Sequence, residues 1–193
     1  MRAPVNLRLE RFQEPVTGQV LSIPDGRQPL LNRLYLRKGQ LPEPWRSDQV
    51  LVAEAFADAH QLTVGDELVV VIQGRLQRLT ITGIALSPEY IYQIRPGDLF
   101  PDFARYALLW MNRSAVEAAF GMNGAFNSLT ATLTPGYPAE SVIAALDEVL
   151  APWGSLGAHD RDDLVSHLYL EEELTQLETM ARFLPVVFLG VAA

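Results

Sequence analysis

Any chemistry done by this chain has to come from carboxylates, histidines or hydroxyls, because the sequence contains no cysteine. Thiol, disulfide and zinc-thiolate chemistry are excluded with it. The three histidines, His60, His159 and His167, are far apart, and none sits in an H-E-x-x-H or similar ligand spacing. The run His159-Asp160-Arg161-Asp162-Asp163 offers oxygens to a hard cation, which wants about six or more of them converging from a structured loop. Helix capping already accounts for Asp160 and Asp163, both favoured at a positive helix N-terminus. Glu89, Asp98 and Asp102 share one loop-rich segment, where an acid/base pair is chemically available. Nothing in their spacing fixes such a pair, and solvated loop carboxylates show the same pattern. There is no G-x-S-x-G elbow, P-loop or G-x-G-x-x-G. The expectation is a chain with no catalytic residue, no cofactor and no metal of its own, and so not an enzyme.

Aromatic residues are more suggestive. Eight of the 17 lie between positions 90 and 126: Tyr90, Tyr92, Phe100, Phe103, Tyr106, Trp110, Phe120 and Phe126. Such a cluster makes a core, the ordinary fate of aromatic side chains. In a segment this rich in Pro, Gly and Asp, some members alternatively line a surface groove for an apolar ligand or partner. Tyr90, Tyr92, Phe100 and Phe103 are the candidates for contact with cargo or a partner protein.

The elements that must position these residues are bounded by composition. With 193 residues, 49% hydrophobic and 20% charged, the chain has the make-up of a folded domain or two small subdomains. A net charge of -8 argues against a surface built to neutralise phosphates, so no nucleic-acid partner is expected. The charge is uneven: residues 1–48 carry eight Arg/Lys against five Asp/Glu, and the remainder seven against 18. Lysine occurs once, at Lys38, a bias consistent with a GC-rich bacterial genome.

The middle of the chain reads as β-rich. A strand over 16–23 ends at the turn Pro24-Asp25-Gly26. An apolar strand over 49–53 leads to a short helix through Phe56 to His60, and Thr63-Val64-Gly65-Asp66 forms a turn. Two β-branched strands, 67–73 and 76–86, join at Gly74-Arg75 as a hairpin. Another strand is expected over 127–133. Residues 138–150 read as a helix with Val142, Ile143, Leu146 and Val149 or Leu150 on one face.

A further helix is expected from Asp160 to about Leu184. Its seam, Leu170, Leu174, Leu177, Ala181, Leu184 and Phe188, steps by four and three residues alternately, the spacing of a narrow coiled-coil stripe. Glu171, Glu172, Glu173 and Glu178 lie off the seam, and Pro185 should kink or end the helix. The last 11 residues, FLPVVFLGVAA, are uncharged, whereas a membrane helix needs about 20 such residues. They read either as a core strand or short buried helix, or as the first half of a transmembrane helix. The seam likewise reads either as an ordinary amphipathic helix on a core or as a stalk entering a bilayer; together the two features favour the stalk. The first 20 residues show no secretory signal.

The stretch DQVLVAEAFADAHQLTVGDELVVVIQGRLQRLTITGIALSPEY, residues 48–90, resembles the periplasmic core domain of FtsX-like, MacB-class ABC-transporter permeases. The elements that carry the likeness are Val50-Leu51-Val52, Ala57, Leu62, Gly65-Asp66, Gly74 and Thr82-Gly83-Ile84. GAFN at 124–127 and the terminal FLPVVFLGVAA are similar to the large permeases of that family. The resemblance implies an α+β, two-lobed fold. A βα-rich porter-like lobe (1–46 and 112–160, lacking its first strand and helix) would carry an inserted β-rich lobe (47–111). A stalk (161–193) would run into a transmembrane segment. The implied function is the extracytoplasmic part of a bacterial permease in the cell membrane, coupling ATP hydrolysis by a separate cytoplasmic ATPase subunit to export of a substrate or control of a periplasmic partner. The membrane would be reached through flanking transmembrane helices, and the unpaired seam Leu170, Leu174, Leu177, Ala181 and Leu184 would favour self-association. The alternatives are a stand-alone extracytoplasmic binding domain or an enzyme using Glu89, Asp98 and Asp102.

Overall fold

The computed structural model describes residues 1–9, 15–95, 97–98 and 100–192, with backbone alone at 165–166 and 184–192. The chain is α+β and divides into two compact units, 1–131 and 132–193.

The first unit is built on seven strands: β1 (Arg2–Arg8), β2 (Val16–Ile23), β3 (Tyr35–Gly39), β4 (Gln49–Ala53), β5 (Glu67–Ile72), β6 (Arg75–Leu86) and β7 (Tyr106–Asn112). Hydrogen bonding runs β3-β6-β4-β7-β2-β1-β5, and β5 pairs again with β6. Six strands therefore close into a barrel, with β3 attached to the far half of β6. The pairs β2/β7 and β4/β6 are parallel and the others antiparallel. Closure satisfies the row of N–H and C=O groups that an open sheet leaves at its edges.

Period-two alternation sorts the side chains. Val5 and Leu7, Val16 and Val20, Val50 and Val52, Leu68, Val70 and Ile72, Leu79 and Ile81, and Leu109 and Met111 form one buried cluster. Phe56 from α1 (Glu54–His60) and Val116 from α2 (Arg113–Phe120) pack into it. A second cluster lies on the opposite faces of β2, β4 and β7, through Leu21, Ile23, Leu51, Leu108 and Trp110; Leu34, Leu36, Leu41 and Tyr90 pack over it. All seven residues of β7 are buried as a result. The expected division between 1–46 and 47–111 runs through this closed sheet, since β1 and β2 pair with β5 and β7.

Local chemistry explains the joints. Gln73 and Gly74 both have positive φ, 48° and 74°, the backbone of a type I′ hairpin turn between β5 and β6. The Asp66 carboxylate accepts from the Thr63 N–H at 2.7 Å, and Gly65 N–H donates to the Ile81 carbonyl at 2.8 Å. The Gly-Asp turn thus fastens the end of α1 to β6. Gly39 (φ +76°) crosses so close to β6 that a Cβ would lie 2.1 Å from the Thr82 carbonyl oxygen. Asn112, fully buried, donates to the carbonyls of Glu43 and Arg46 at 2.6 and 3.1 Å and accepts from Gly26 N–H at 3.2 Å. One amide side chain ties two loops to the end of β7. Asp25, just past the end of the neighbouring strand β2, caps α2 by accepting the Ser114 N–H at 3.1 Å.

Residues 127–133 form no strand. Asn127 instead pairs its side chain with the backbone of Arg2, accepting from its N–H at 2.9 Å and donating to its carbonyl at 2.7 Å. One amide replaces a strand there, which leaves Leu129 and Leu133 exposed.

In the second unit, α3 (Ala139–Leu150) is followed by one 3-10 turn and then α4 (Val165–Ala192). Asp160 accepts the N–H of Asp162 and Asp163 at 2.9 and 3.4 Å, so it caps a turn that precedes α4 rather than α4 itself. The helix continues through Pro185. Proline deletes only one N–H from the ladder, and the uncharged residues beyond it keep theirs. α3 contains no buried residue.

Candidate functional site

The candidate residues fall on the loop 87–105 that leaves β6 and returns as β7, and on α4. The loop starts over the outer cluster of the barrel and is held there by Glu89. This carboxylate receives the guanidinium of Arg2 and the Asn32 amide, the latter at 3.1 Å, and its side chain is 15% exposed. It serves as the anchor of the loop. Asp98 pairs with Arg95 at 2.9 Å, and Asp102 accepts the N–H of Ala104 and Arg105, both at 3.1 Å. Each of the three carboxylates has its own partners, distant in sequence for Glu89 and local for Asp98 and Asp102, and no contact joins them among the described residues.

The four aromatic candidates separate. Tyr90 packs on the outer core, under the Arg2 guanidinium at 5.8 Å from its ring centroid. Its hydroxyl is buried without a hydrogen-bond partner among the described residues. Burial, seconded by the adjacent Glu89 carboxylate, pushes its phenol well above the usual range. Tyr92 is partly buried. Phe100 and Phe103 face solvent, at 76% and 37% exposure. Tyr90 is therefore a packing residue, and the apolar surface of this segment belongs to Phe100, Phe103 and Ile91. Of the other clustered aromatics, Tyr106 and Trp110 are core.

Sequence reasoning missed a groove of about 380 Å³ lined by Arg33, Tyr35, Leu86, Ser87, Pro88 and Ile91. It forms where β3 meets the end of β6, since Tyr35 pairs with Leu86. Its only sequence signal was the run of cations around Tyr35.

On α4, Leu174 and Leu177 are more than half exposed and Leu170 is partly buried, while Glu171, Glu172, Glu173 and Glu178 are exposed. Ala181 is exposed; the Leu184 side chain, expected to extend the seam, lies outside the described residues. His167 Nε2 stands 3.3 Å from Asp162 and 3.6 Å from Glu171. Among the described residues no group of His, Asp and Glu is placed to hold a metal ion, and no helix is long and apolar enough to cross a membrane.

No protein-family model matches the chain, and no curated protein matches it. Among solved structures, the chain is similar to a domain of a "putative Permease protein" from Porphyromonas gingivalis, with a TM-score of 0.39 at 15% identity over 86% of this chain and 72% of that one.

Proposed function

We propose that this chain is the extracytoplasmic domain of an ABC-transporter permease, transmitting ATP hydrolysis by a separate cytoplasmic subunit to a substrate or periplasmic partner. The observation that carries the reading is α4. It runs unbroken for 28 residues, about 42 Å at the helical rise. An acidic, exposed stretch bearing the seam Leu170, Leu174, Leu177 and Ala181 continues in the same helix into the uncharged residues 183–192. A helix with this order of polarity suits a stalk between water and a bilayer. The resemblance of residues 48–90 to permease core domains points the same way. In this reading Phe100, Phe103 and Ile91 offer the apolar contact surface, and the stalk seam meets the preceding stalk of the permease.

These 193 residues contain no cysteine, so one introduced here is read against the unsubstituted permease as the labelling control. Leu30, 95% exposed, is replaced by cysteine in the permease expressed in its host. A membrane-impermeant maleimide should label it in intact cells; labelling only after lysis overturns the topology. Leu174→Asp with Leu177→Asp should reduce transport or partner control and the response of the ATPase, with permease abundance unchanged. Undiminished function in that variant sinks the stalk.

A further inference from the structure

We propose that β3 is a docking edge for an extended acidic peptide segment, which adds to it as a further strand and seats an apolar side chain in the adjoining groove. The argument begins with topology. Six strands satisfy one another around the barrel, whereas β3 pairs on one side with β6 and with no strand on its other side among the described residues. Its outward N–H and C=O groups are a template for a further strand.

Side chains then select the occupant. Arg33 and Tyr35 share one face of this strand and its approach; a register shift between Leu36 and Lys38 sets Lys38 opposite Ile84, on the side where Tyr35 opposes Leu86, and Arg37 lies over the Tyr35 ring at 5.9 Å, all four residues exposed. Tyr35 is 63% exposed and forms a wall of the groove with Leu86 and Ile91. Residues 26–42 contain four cations and no acid, in a chain of net charge -8. Arg37 pairs with Glu54 at 2.6 Å, whereas Arg33 and Lys38 form no ion pair among the described residues. A second copy of β3 would set cation against cation, and a neutral strand would leave both unpaired. A segment with carboxylates at alternate positions and a small apolar residue between them meets both cations and the groove.

The probe is the capped peptide Thr-Glu-Thr-Val-Thr-Glu-Thr, titrated against the whole chain by fluorescence anisotropy and by amide exchange. Saturable sub-millimolar binding is expected, with slowed exchange of the amides of 35–39. The double variant Arg33→Glu, Lys38→Glu and the peptide with Lys in place of Glu should each bind about tenfold more weakly or less. Both substitutions lie on exposed positions, and circular dichroism verifies that the variant is folded. No saturable binding overturns the proposal. So does equal binding by a peptide N-methylated on alternate residues, which cannot pair as a strand. Sedimentation showing a dimer that Lys38→Glu alters, with no peptide bound, would assign the edge to a second copy instead.

Discussion

Tyr90 gives the sharpest test of how the outer core is built. Its ring packs on the cluster over β2, β4 and β7 while its hydroxyl is buried with no hydrogen-bond partner among the described residues. A buried hydroxyl without a partner costs about 1–3 kcal/mol. Tyr90→Phe deletes the hydroxyl and retains the ring and its place beneath Arg2. The variant should therefore be more stable by about 1 kcal/mol, a rise of roughly 3 °C in Tm. Guanidinium unfolding at neutral pH, read by tryptophan fluorescence, should show a higher midpoint and an unchanged slope. The same hydroxyl has an alkaline signature. Because the folded-state pKa lies above the unfolded value near 10.0, the unfolded chain releases its proton first as pH rises. Stability from this group is whole below pH 10 and is lost above it. Between pH 10 and 11 the decline should be shallower in Tyr90→Phe than in the parent. A variant less stable than the parent by about 0.5 kcal/mol or more refutes the reasoning and means that the hydroxyl is hydrogen-bonded in the folded protein; an unchanged alkaline slope refutes it as well and means that the phenol stays in contact with water.

Other positions give equally definite outcomes. Phe100→Ser should change the unfolding free energy by less than about 0.5 kcal/mol, whereas Tyr90→Ser should cost about 3 kcal/mol, read from the same denaturation curves. Asn112→Ala should cost about 2–4 kcal/mol, because it strands three backbone groups held by one side chain; calorimetry measures it. Gly39→Val should free β3 from β6 through the clash with the Thr82 carbonyl, seen as fast amide exchange at Leu36 and Lys38. Glu89→Ala should loosen the loop 87–105 and cost about 1 kcal/mol, a low figure because Arg2 is partly exposed; limited proteolysis of the loop reports it.

Much of the first unit was written locally. β2, β4, α1 and the β5-β6 hairpin were legible because the alternation, the Gly-Asp turn and the hairpin glycine act over a few residues, and each is visible to its neighbours in the chain. The helices α3 and α4 belong to the same class, as helical spacing needs no partner to be read. Four elements escaped. β7 is buried on both faces and so shows no alternation. α2 takes its cap from Asp25, 89 residues away. β3 is a short edge strand whose identity comes from its register with β6. β1 carries the alternation Ala3, Val5, Leu7, interrupted by Pro4, which the barrel accommodates because β5 pairs only with 6–8. Closure of the barrel, which joins residues 2–23 to 49–112, could not be read from any window, because each pairing depends on partners brought together by the whole sheet. The candidate site divides along the same line. Residue type and clustering singled out Tyr90, Phe100 and Phe103, but only packing could decide that Tyr90 turns inward under Arg2 while the two phenylalanines face water. Glu89 likewise became an anchor through Arg2 and Asn32, 87 and 57 residues distant, since a carboxylate takes its role from the charges that folding sets beside it.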